Sequence, residues 1–169
     1  MASTEAVDPA IAWLQGFLHA FAWFNNKSNC GFTFTLDLIP KPTPLQQAIE
    51  TYFKQKSIET GFEGNLKFEF TLSPVAEWQD VVRELYSRWW FQFSDPSSDH
   101  LHDPKGSFSL FIDYFRGMIL DEMMVRMSKA FSPVAVWKVE MQGDGNCCSE
   151  SLALEEQERI LFLNVAWFD

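Results

Sequence analysis

Cysteine is scarce in this chain: Cys30, Cys147 and Cys148 are the three among 169 residues. An odd count with an adjacent pair is no disulfide framework, and no Cys-x-x-Cys spacing is present to hold a metal. A reducing compartment fits such usage. Positive charge is also short, with 13 Lys and Arg against 23 Asp and Glu and a formal net charge of -10. That balance argues against a nucleic-acid binder, which needs clustered cations on phosphates. It argues equally against an anionic membrane surface. Long uninterrupted apolar runs are missing, so no segment reads as a bilayer span. The stretch Met1 to Asp8 carries Glu5 and Asp8 but no Lys or Arg, and so lacks the basic start of a signal peptide. No phosphate-cradling glycine loop, Gly-x-Ser-x-Gly elbow or His-Glu-x-x-His helix occurs. These absences lead us to expect a cytoplasmic protein with no cofactor, no nucleic-acid partner and no membrane.

What is present is a rich core. Hydrophobic residues make up 47% and aromatics 16% of the chain, far from a disordered composition. With no repeat, low-complexity tract or flexible linker, residues 1-169 read as one domain. Asp8-Pro9 starts a helix that runs to about Phe24, with Ile11, Leu14, Leu18 and Phe21 in one stripe and no charge before Lys27. Phe32, Phe34, Leu36 and Leu38 alternate in a strand from Gly31 to Ile39. Thr43-Pro44 caps a second helix that places Leu45, Ala48, Ile49, Tyr52 and Phe53 on one face. A strand follows from Leu66 to Leu72. Ser73-Pro74 is expected to cap a third helix whose apolar stripe is Val75, Trp78, Val82, Leu85 and Trp89. The strand, helix, strand order permits a parallel crossover.

Beyond Trp90 lies a polar loop, Ser94 to Gly106, and then a long helix from Ser107 to Ala130, with a strand over Ser107 to Phe115 as the alternative. Val134 to Met141 and Cys147 to Leu154 read as a hairpin around Gly143-Asp144-Gly145-Asn146. Arg159 to Phe168, apolar on both faces, reads as a central strand. The expected fold class is α+β: a mixed or mostly antiparallel sheet of about five strands, with helices packed mainly on one face.

Four groups of residues are candidates for chemistry. The run Gly143-Asp144-Gly145-Asn146-Cys147 resembles the nucleophile motif of the OTU family of deubiquitinating cysteine proteases. The resemblance implies a Cys147 thiolate at a helix start, activated by backbone N-H groups and a histidine. It covers five residues and ends at Cys148-Ser149-Glu150. No histidine follows Cys147; His19, His100 and His102 precede it. A hairpin turn accounts for the same residues without chemistry. Second, Asp99, His100, His102 and Asp103 carry metal-ligating side chains in the polar loop, although solvated loops collect these residue types anyway. Third, Asp113, Asp121 and Glu122 lie on the long helix beside Arg116 and Arg126, as a salt-paired face does, and Met118, Met123, Met124 and Met127 suit core packing. Fourth, Trp89, Trp90, Phe91 and Phe93 crowd one helix end at the mouth of the loop, and an exposed tryptophan there is what an interaction hot spot looks like.

Taken together, the residues point to a non-catalytic, acidic, cytoplasmic interaction domain of adaptor, immunity-like or regulatory type. Its partner is another protein with a basic surface, met through Trp89, Trp90, Phe91 and Phe93. The alternative is a small enzyme or ligand-binding domain, cysteine hydrolase-like, built on His100, His102 or Cys147.

Overall fold

The computed structural model of the chain describes residues 8-25, 31-59, 69-89, 107-142 and 147-168. Helix α1 (Pro9-Asn25) begins where its cap requires: the Asp8 carboxylate accepts from the Ala10 N-H at 2.9 Å, and Pro9 occupies the first helical position. It is followed by β1 (Gly31-Pro40), α2 (Leu45-Glu59), β2 (Glu69-Pro74), α3 (Trp78-Trp89), α4 (Ser107-Ala130), β3 (Ala135-Gln142), β4 (Cys147-Glu155) and β5 (Arg159-Phe168). Among the described residues, four helices and an antiparallel sheet of five strands make an α+β domain. The segment Ser107 to Phe115 is helical and not a strand.

The strand order is β1-β5-β4-β3-β2, and every neighbouring pair is antiparallel. β5 is internal because it can bury both faces. Leu161, Leu163 and Val165 enter one core cluster while Ile160 and Phe162 enter the other. Four antiparallel steps leave β1 and β2 parallel to each other at opposite edges. The expected parallel crossover therefore exists, but α2 carries the chain across three intervening strands.

The broad face of the sheet carries α1, α3 and α4. Ile11, Leu14 and Leu18 of α1, Val82, Leu85 and Tyr86 of α3, and Met123, Met124 and Met127 of α4 pack with Phe34, Leu36, Leu152 and Leu154. The narrow face carries α2 alone, with Ala48, Ile49, Tyr52 and Phe53 over Ile39, Val139, Ala153, Ile160 and Phe162. Three helices of four on one face is the expected asymmetry.

Two expectations are corrected. Ser73 and Pro74 do not cap α3; they extend β2 and pair with Lys138 and Trp137, and the ladder continues through the Val75 N-H donating to the Val136 carbonyl at 2.8 Å. Proline is tolerated because β2 is an edge strand. The α3 backbone bonds then start from the Glu77 carbonyl. In β1, Leu38 is 38% exposed while Ile39 is 5% exposed. Strand parity turns Ile39 toward α2, and Leu38 falls outside the apolar cover of the broad face.

The end of the sheet at the β4-β5 connection is tied by charge. Lys41 Nζ meets Glu155 Oε1 at 2.5 Å, Trp137 Nε1-H donates to Glu155 Oε2 at 2.9 Å, and Arg159 Nε-H donates to Glu156 Oε2 at 2.5 Å. Burial pushes the Glu155 carboxyl up, but the hydrogen bonds from Lys41 and Trp137 and the charge of Lys41 outweigh it. The group ends below the ordinary carboxylate value.

Candidate functional site

The period-two pattern of β4 turns Glu150, Leu152 and Leu154 to the broad face, and that of β3 turns Val136, Lys138 and Glu140 the same way. Leu152 and Leu154 are covered by helices, whereas Lys138 and Glu140 keep side chains 44% and 52% exposed. α3 lies across this boundary. Between it and the sheet is a cleft of about 220 Å³ lined by Val81, Glu84, Leu85, Lys138, Glu150, Ser151 and Leu152. Leu85 and Leu152 are buried and form an apolar floor with Val81; Glu84 is exposed and Glu150 half-buried at the rim. Lys138, the cross-strand partner of Leu152, is drawn aside: its Nζ donates to Glu140 Oε1 at 2.7 Å. That hydrogen bond, the Lys138 charge and a further bond from Thr71 hold the Glu140 carboxyl below its ordinary value against the small opposing effect of desolvation.

A second feature is the outward surface of α1 and α4. Ala12, Gly16, His19, Ala20 and Trp23 of α1 face away from the core, and Trp23 is 62% exposed. On α4, Tyr114, Met118 and Val125 are 67%, 51% and 48% exposed. A Cβ added at Gly16 or Gly117 would meet nothing within 4 Å. The helices meet where the Arg126 guanidinium lies over the Trp13 ring, 3.9 Å from its centroid.

The residues singled out from sequence fall as follows. Trp89 closes α3, just beyond the cleft residues Val81, Glu84 and Leu85. Its side chain lies outside the described residues, as do Trp90, Phe91, Phe93, Asp99, His100, His102 and Asp103. Cys147 opens strand β4, opposite Phe168, where the protease resemblance implies a helix start. The β3-β4 pairing is the expected hairpin, with residues 143-146 outside the described set. Asp121 and Glu122 are salt-paired, with Arg83 and Arg126, both at 2.6 Å; Asp113 is outside the described side chains. Met123, Met124 and Met127 are buried, while Met118 is exposed. Among the described residues no group of three or more His, Cys, Asp or Glu side chains is placed to hold a metal ion, and no helix is long and apolar enough to cross a membrane.

Lys138 and Glu150 were not among the sequence candidates. Their signal was a charged residue that follows or precedes apolar ones on one strand face, Glu150 before Leu152 and Leu154 and Lys138 after Val136.

No protein-family model, no curated protein and no solved structure matches this chain. A functional reading rests on its own geometry.

Proposed function

We propose that this protein is a non-catalytic, acidic interaction domain of adaptor, immunity-like or regulatory type that binds another protein in the cytoplasm. The observation that carries the reading is the outward surface of α1 and α4. In a chain of net charge -10, α1 has no charged residue from Pro9 to Asn25, and the two helices present Trp23, Tyr114 and Met118 to solvent. Large apolar side chains at the surface of an otherwise strongly charged protein are what partner recognition requires. The charge steers the encounter toward a basic surface, and the aromatic side chains supply contact area.

The test is a pull-down of the tagged chain from native lysate, washed at low and then high salt, beside a Trp23→Ser/Tyr114→Ser variant. A stoichiometric partner held by the parent chain and lost by the variant, with an unchanged circular dichroism spectrum, is the expected result. A partner retained equally by the variant, or none under any wash, would sink the reading.

A further inference from the structure

We propose that β2 is a docking edge for a second copy of this chain: two β2 strands pair antiparallel about a two-fold axis at Thr71, and two sheets of five strands become one continuous sheet. The inference goes beyond the interaction reading above and does not use the α1-α4 surface. β2 has a neighbouring strand on one side only. The Val75 N-H donates to the Val136 carbonyl across that ladder, so by antiparallel alternation Glu69, Thr71 and Ser73 direct their backbone groups to β3. Phe70, Leu72 and Pro74 turn theirs outward. Among the described residues nothing bonds to the outward groups of Phe70 and Leu72. The opposite edge, β1, differs: α1 packs along it, and Gln15 Nε2 donates to the Leu36 carbonyl at 2.8 Å. One open edge gives a closed pair and not a fibre.

The edge is complementary to itself. With Thr71 opposite the second copy's Thr71, Phe70 stands opposite the second copy's Leu72. The Phe70 N-H then donates to that Leu72 carbonyl, the Leu72 N-H donates to the Phe70 carbonyl, and the axis repeats both bonds. Every outward donor and acceptor of the two residues is used. Pro74, which has no N-H to give, falls past this set. Glu69 meets the exposed Ser73 of the second copy and not another carboxylate. Sliding the pair so that Pro74 opposes Phe70 strands the Phe70 carbonyl, and a parallel in-register pair sets Glu69 beside Glu69. The side chains agree with the two-fold register. Phe70 and Leu72 are half-buried on the narrow face beside half-buried Phe53 and Trp137, and pairing covers apolar area there, while Thr71 and Ser73 are small and exposed on the broad face.

The experiment is analytical ultracentrifugation of the full chain over a wide concentration range. A monomer-dimer equilibrium is expected with Kd on the order of 10 μM, tightening as salt rises because screening relieves repulsion between two chains of net charge -10. Leu72→Pro removes one outward N-H and no bond to β3, and is expected to weaken the dimer by about tenfold with an unchanged circular dichroism spectrum. Thr71→Glu and Thr71→Lys each set like charges on the axis and are each expected to weaken the dimer about fivefold. An equimolar mixture of those two variants should return to within about twofold of the parent chain, a rescue that misfolding does not imitate. A monomer at every concentration, a dimer indifferent to Leu72→Pro, or a mixture no tighter than its components overturns the edge as docking site. None of these outcomes bears on the pull-down, where loss of a partner from the Trp23→Ser/Tyr114→Ser variant still decides the interaction reading.

Discussion

The two faces of the sheet are held by different means. On the broad face three helices contribute aliphatic and methionine side chains to one large cluster, and a single defect is surrounded by neighbours from several elements. On the narrow face one helix, α2, meets five buried sheet positions through a knot of rings: Tyr52 and Phe53 lie 5.1 and 5.5 Å from the Phe162 ring, and Phe53 meets Phe70 edge-on at 6.0 Å. The same helix spans the sheet from edge to edge. A small cluster on a long connection concentrates its stability in few side chains, whereas a large one spreads it.

That contrast is broken or confirmed first by removing one ring. Phe162→Ala deletes a fully buried side chain and is expected to cost about 4 kcal/mol. Leu14→Ala, equally buried on the broad face, is expected to cost about 3 kcal/mol. The distinguishing readout is hydrogen exchange. With Phe162→Ala the amides of α2 should lose protection before the rest of the chain, while Leu14→Ala should lower protection across α1, α3 and α4 together. Uniform loss in both variants would show that the two faces form one cooperative unit.

Each face also holds a tyrosine, fully buried at Tyr86 and half-buried at Tyr52, and alkali sharpens the comparison. Tyr86 on the broad face is pushed above its ordinary value of 10.0 by burial. Tyr52 on the narrow face is raised from the same value by burial first, then by the hydrogen bond its hydroxyl donates to Asp37 Oδ2 at 2.7 Å and by the Asp37 charge. Above pH 10 the unfolded chain releases these phenolic protons while the folded chain retains them. Stability is therefore intact below about pH 10 and falls above it by about 1.4 kcal/mol per pH unit for each tyrosine. Tyr86→Phe and Tyr52→Phe should each remove one share of that slope in urea titrations between pH 8 and 11. Tyr52→Phe alone should also lower stability at neutral pH, by about 1 kcal/mol for the lost bond to Asp37. An unchanged alkaline slope in both variants would place the loss elsewhere.

Much of this architecture was legible because local pattern and tertiary need coincide. Asp8-Pro9 is both a cap and the true start of α1, and the two-sided apolar run of β5 reads as central because only an internal strand can bury both faces. Ser73-Pro74 misled because a strong cap signal competed with an edge ladder that continued two residues further. Tyr86 escaped the predicted stripe because α3 packs against α4 as well as the sheet, which widens its buried face beyond one row. The cleft was illegible for another reason. Its carboxylates come from a helix and a distant strand, and no spacing along the chain relates Glu84 to Glu150. The aromatic run that sequence favoured as a binding site continues past Trp89, outside the described residues.

The finest comparison sits within one pair of strands. Leu152 and Leu163 are partners on the broad face, and one residue along, Ser151 and Asn164 are partners on the narrow face. Among the described residues Ser151 is, tyrosine apart, the one buried polar side chain, and its hydroxyl donates to Asn164 Oδ1 at 2.8 Å. Next to Asn164 on β1 stands Thr35, which is exposed, so this polar row runs from solvent into the core. Ser151→Ala is expected to cost about 1 kcal/mol, because Asn164 stays half-buried without that donor. Asn164→Leu alone should cost at least as much, since it leaves the buried hydroxyl of Ser151 without its acceptor. The double variant should lie close to the parent chain, because two apolar groups replace a satisfied pair and no polar atom is stranded. A coupling energy of about 2 kcal/mol in that cycle would mean that the narrow face accepts an apolar row as readily as the broad one. Strict additivity would mean that Ser151 and Asn164 each contribute through separate neighbours, and the polar row would then be a property of the single strands and not of their pairing.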